Sequence, residues 1–136
     1  MFDIDLKLKD SGLVDADAPG QVDGSDQILD LGAGLIEALM VIEVSELELE
    51  SDDELYKISL QGSSKPDFSD TIEDLAILEL GAAEVLGGDQ DSVMGRYKVP
   101  VRTEKNGTIY PYVRLYTDVS GTIATGINFS AYLTKA

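Results

Sequence analysis

The residues best suited to do chemistry are Tyr112, Arg114 and Tyr116, which alternate with Val113 and Leu115. An arginine between two tyrosines at every second position puts three side chains on one side of an extended strand. There a planar guanidinium can stack on rings and form hydrogen bonds together. This is recognition chemistry rather than bond-making chemistry, because Tyr and Arg bury large area while keeping a polar end. Tyr132 alternates in the same way further on, and is read as part of the same face. Arg96, Lys98 and Arg102 extend the candidate partner-binding set. A plainer reading stands beside it: the row is covered by another segment of the chain, or by water.

Bond-making chemistry has little to work with. The 136 residues include no histidine and no cysteine, which removes the usual nucleophile–base pairs, the commonest general base and the thiolate metal sites. Among 26 acids any two could be offered as a hydrolase pair, so paired carboxylates carry no specificity. No phosphate-cradling glycine loop is present. Asp15, Asp17, Gly20 and Asp26 match positions one, three, six and twelve of an EF-hand loop. However, Pro19 stands at position five, the twelfth residue lacks the longer Glu, and no helix flanks the stretch. Asp23, Asp89 and Asp91 are no stronger as calcium ligands. The expectation is a solvated acidic loop, no metal, no cofactor and no enzyme activity.

Charge is unevenly spread. Residues 1–92 carry 24 acids against four lysines, whereas residues 93–136 carry two acids against six basic residues, and the net charge is −16. An acidic body repels phosphate backbones, so no nucleic-acid partner is expected. No apolar run approaches membrane-spanning length and no basic-then-apolar leader opens the sequence, so neither a membrane nor a secretory role is expected. The asymmetry suits a polar molecule whose weakly basic region meets a partner while the acidic remainder faces solvent.

The elements that must position the row are strands. Phe2, Ile4, Leu6 and Leu8 alternate with charged residues and predict a first strand over 2–8. Residues 10–26 predict a loop, Ile28–Leu31 a short strand, and Leu39–Leu47 a long apolar one leading to an acidic turn at Glu46–Glu54. Leu55–Gln61 alternates with Tyr56, Ile58 and Leu60 on one face, and 62–70 reads as loop. Residues 69–86 fit either a helical stripe or a strand. Gly81–Asp91 reads as loop, and Arg96–Val101 as an edge strand, since Pro100 cannot donate to a ladder. A turn at Lys105–Thr108 leads into a predicted terminal hairpin over 109–133, turning at Asp118–Gly121, with Val113, Leu115, Ile127, Phe129, Ala131 and Leu133 facing a core. About eight short strands in one domain, 1–136, predict an all-β sandwich or barrel.

Several of these segments are familiar in their order. Tyr112-Val113-Arg114-Leu115-Tyr116, Gly121-Thr122, Thr125-Gly126 and Ala131-Tyr132-Leu133 resemble the C-terminal part of the Bbp-type capsid cement proteins of tailed bacteriophages. Phe2–Leu8 resembles that family's opening strand, and Gln27–Gly32 its "Ile-Asp-Leu-Gly" segment. Leu39–Val44 is similar to its next strand, Ser59–Ser64 with Phe68 to its "Leu-Gln-x-Ser" strand and loop, and Val99-Pro100 to its proline-bearing strand. The chain departs from the pattern at Glu46–Glu54 and Gly81–Gly95. The resemblance implies an antiparallel jelly-roll sandwich and a strand at Leu75–Leu80. It also implies a homo-oligomer, dimer or trimer, that binds the major capsid protein on the outer face of an HK97-like shell after assembly in the host cytoplasm. The alternative is a jelly-roll carbohydrate-binding module, with or without calcium, although the chain lacks the tryptophans such modules present to sugars.

Overall fold

Two antiparallel sheets pack face to face around one core in the computed structural model, which describes residues 6–88 and 90–135. Seven long strands build them: β1 (Lys7–Val14), β2 (Glu37–Leu47), β3 (Leu55–Ser63), β4 (Glu73–Gly81), β5 (Gly95–Arg102), β6 (Tyr112–Ser120) and β7 (Ile127–Lys135). One sheet has the order β1-β7-β2-β5. In the other, β6 lies between β3 and a broken edge strand, and β4 is outermost beyond β3. The broken strand consists of Ala18–Pro19 and Leu29–Asp30, both paired with β6.

Alternation correctly marks the inward residues. Met40 and Ile42, Tyr56, Ile58 and Leu60, Val113 and Leu115, and Ile127, Phe129 and Leu133 are all at most 1% exposed. Burying a side chain of this size stabilises the fold by roughly 1.5–3 kcal/mol before the entropy of ordering it is counted.

The predicted terminal hairpin does not form. β6 pairs with β3, β7 pairs with β2 and β1, and the two strands belong to different sheets. Residues 118–120 continue β6 rather than turn, and 121–126 carry the chain from one sheet to the other. This crossover is held by two carboxylates. Glu48 accepts the amides of Ala124, Thr125 and Gly126, and Asp53 accepts the amide and hydroxyl of Thr122. Gly126 passes so close to Val14 that a Cβ there would lie 2.1 Å from the Val14 carbonyl oxygen.

The first strand also differs from expectation. Phe2–Asp5 lie outside the described residues, and β1 runs on through 10–14, which reads as loop in the sequence. Its irregular pairing with β7 is locked by Lys9. This lysine is 7% exposed, and Nζ donates to the carbonyls of Phe129 (2.6 Å), Gly12 (2.9 Å) and Asp10 (3.0 Å) above the Phe129 ring. The charge on Lys9 disguises a buried strand position.

The ambiguous 69–86 stretch divides. β4 is strand, with Leu75, Ala76 and Leu78 packed against the core. A single helical turn, Ala83–Leu86, then ends at Gly87 in the left-handed conformation. Pairing with β3 at eight positions sets Leu75, Ala76, Leu78 and Leu80 against the core, and that burial outweighs a weak helical stripe. β5 lies at a sheet edge, as Pro100 requires. The 105–108 turn is confirmed: Asn106 and Gly107 both take positive φ, 54° and 86°, between the paired pieces Glu104–Lys105 and Thr108–Ile109.

Candidate functional site

Because Val113 and Leu115 point into the core, Tyr112, Arg114 and Tyr116 stand on the outer face of their sheet, half-buried. Across the ladder on β3 they meet Ser63, Gln61 and Ser59 respectively. Arg114 Nε donates to Gln61 Oε1 at 2.9 Å. The guanidinium carbon lies 4.4 Å from the centre of the Phe68 ring and 5.3 Å from that of Tyr116, within range for cation–π attraction to both.

Phe68 reaches this position from the 64–72 connection between β3 and β4. It is 7% exposed and adopts φ 55°, a conformation that bulky residues avoid at a cost of order 1 kcal/mol or more. Local bonds enforce it: the Phe68 amide donates to the Lys65 carbonyl, that of Lys65 to Ser63 Oγ, and that of Ser69 to Asp67. Ser64 Oγ also bonds Asp70. The peptide thus folds onto the sheet and sets one aromatic face against Arg114. Arg114 takes part in no ion pair among the described residues.

The remaining expected site residues lie elsewhere. Tyr132 is on the outer face of the opposite sheet, so the expectation that it joins the Tyr112–Tyr116 face is wrong. The two strands belong to different layers, and alternation in each is counted from its own sheet. Tyr132 and Lys98 flank Val41 there. Arg96 pairs with Glu43 at 3.5 Å, and Arg102 with Glu104 at 3.3 Å and Glu37 at 3.8 Å. Both arginines are exposed and internally neutralised, which leaves Lys98 as the basic residue of β5 without an ion pair among the described residues.

Sequence reasoning missed the partners of Arg114. An isolated aromatic in the polar stretch Ser63–Asp70 was a signal that Phe68 is buried. Nothing local pointed to Gln61.

The acidic candidates for calcium are dispersed. Asp17 accepts the Val119 amide at 2.7 Å, Asp26 accepts from the Gln21 side chain, Asp91 accepts the Ala83 amide, and Asp23 sits at a positive-φ turn. Gly20 is packed where a Cβ would meet the Leu8 carbonyl at 2.5 Å. Asp89 lies outside the described residues. Among the described residues no three acidic side chains converge as metal ligands. No helix of the described residues is long and apolar enough to cross a membrane.

No protein-family model matches the chain, and no curated protein matches it in sequence.

Proposed function

We propose that this chain is a structural virion component, a cement protein that binds the outer surface of an HK97-like phage capsid and ties neighbouring capsomers together. The observation that carries the reading is the outward row of Tyr112, Arg114 and Tyr116. It is braced by Phe68 and lies in the segment where the resemblance to capsid cement proteins is densest.

Strand order supports the jelly-roll part of the reading. With the broken strand counted second of eight in chain order, the sheets run 1-8-3-6 and 2-7-4-5. We read that order as the two interleaved Greek keys of a jelly roll. In the proposed mechanism, an oligomer seated at a capsomer junction buries Tyr, Arg and apolar area against several capsid subunits at once. A standard interface buries on the order of 1,600 Å². Linking several weak contacts in one oligomer raises the effective affinity by about 10²–10⁴. The acidic residues outside the docking face then meet solvent and keep particles apart.

The test is to add purified protein to expanded, undecorated capsids, then measure binding and capsid melting. Saturable binding with a raised capsid melting temperature is expected. A capsid that neither binds the protein nor melts differently would sink the proposal.

A further inference from the structure

We infer that Arg114 is a built receptor for a carboxylate, an Asp, Glu or chain-terminal carboxyl group carried by the protein that meets this face. The inference rests on reading the face as a protein-binding surface, and not on the identity of the partner.

The chain has three arginines and 26 acids. Arg96 and Arg102 each hold an internal glutamate within 4 Å. Arg114 holds none among the described residues, and its single hydrogen bond there goes from Nε to the neutral Gln61. That bond uses Nε and leaves Nη1 and Nη2 without a hydrogen-bond partner among the described residues. Their N–H donors form the fork that pairs with a carboxylate through two parallel bonds.

The rings do the rest. Phe68 and Tyr116 occupy the space around the guanidinium carbon, so it is partly stripped of water before any partner arrives. The Gln61 bond and the two rings restrict its rotamers, which lowers the entropy lost on binding. Phe68 is held in a strained left-handed conformation to do this. Strain kept in a folded surface loop points to preorganisation. A single carboxylate fits better than a polyphosphate, because a body of net charge −16 opposes the approach of a chain of phosphates.

The direct experiment follows the arginine side-chain NMR signals of the free protein during titration with sodium acetate, with sodium chloride and inorganic phosphate at matched ionic strength. Acetate should shift the Arg114 signals at least about threefold more than those of Arg96 and Arg102, and Phe68→Leu should reduce that selectivity. Equal response of all three arginines, an equal effect of chloride, or stronger occupancy by phosphate would each overturn the inference.

A second arm uses undecorated capsids. Arg114→Lys keeps the charge but loses the fork, and should bind about tenfold more weakly than wild type. Wild-type affinity in this folded variant overturns the inference. If the wild-type protein itself ignores capsids, the cement reading fails, while the acetate titration still decides the carboxylate assignment.

Discussion

Oε1 of Glu48 lies 2.6 Å from the amide nitrogen of Thr125, 77 residues further along the chain. The same carboxylate takes the neighbouring amides of Ala124 and Gly126, and Asp53 takes Thr122. Two acids from the turn after β2 therefore fix the crossover that brings β7 into the opposite sheet from β6.

This arrangement predicts an acid-sensitive crossover. The amides of Thr125, Gly126 and Ala124 hold Glu48 below its ordinary 4.5, and the amide and hydroxyl of Thr122 hold Asp53 below 3.8. A carboxylate with a depressed folded-state pKa contributes stability above its unfolded value and loses it as pH falls through the folded one. The melting temperature should therefore drop as pH is lowered below about 4. Glu48→Gln should melt lower at neutral pH and show a shallower acid limb. Identical acid limbs for the two proteins would show that acid loosens something else.

Gly126 tests the close passage beside β1. It has φ 96°, and a Cβ would lie 2.1 Å from backbone oxygen. Gly126→Ala should cost roughly 2–4 kcal/mol. Gly32 also has positive φ, 83°, but open space around it, so Gly32→Ala should cost only about 1 kcal/mol. Chemical denaturation of both variants separates steric clash from backbone strain, and equal losses would contradict the packing described.

Lys9→Met removes the donor of three carbonyls and should cost about 2–4 kcal/mol. Burial pulls the Lys9 ammonium from 10.5 down to about 8. Between those values the unfolded chain binds more protons than the folded one, so wild-type stability should gain as pH rises through that window. The variant should lack this gain, as denaturation at pH 8 and at pH 10 will show.

Arg114 and Phe68 should behave differently from each other. Arg114→Ala should lower stability by less than about 1 kcal/mol, since its hydrogen-bond partner Gln61 remains partly solvated, yet it should weaken capsid attachment. Phe68→Ala empties a buried ring position and should cost about 2–3 kcal/mol. If Arg114→Ala unfolds the protein in a thermal melt, the row is structural.

The sequence was informative about faces and poor about neighbours. Val113, Leu115, Phe129 and Leu133 announce their burial because a strand's period of two is local. Whether two successive strands pair or cross between sheets is decided by partners far away, here Leu60 opposite Leu115 and Val44 opposite Phe129. A connector of six residues with Gly121 and Gly126 at its ends suits either outcome. The continuation of β1 past residue 8 is hidden for a related reason: Lys9 and Gly12 look like loop residues until Phe129, 120 residues away, supplies the carbonyl that makes a lysine acceptable inside. At the candidate site, Arg114 stood out by composition and spacing. Its ring partner Phe68 lies 46 positions earlier, in the loop between β3 and β4, and Tyr132 is a neighbour only if 109–133 forms a hairpin.

The placement of β7 between β1 and β2 has a kinetic consequence. Translation proceeds at about 5–20 residues per second, so β1 emerges on the order of ten seconds before its partner exists. Contacts this distant in sequence also place such folds among the slower ones, at milliseconds to seconds. Throughout that wait β1 is an unpaired edge, and so is the β2 side that β7 will cover. The 24 acids of residues 1–92 accumulate during this interval and are complete before β7 is made. Their mutual repulsion keeps nascent copies from pairing these edges with one another before the last strand arrives to close the sheet.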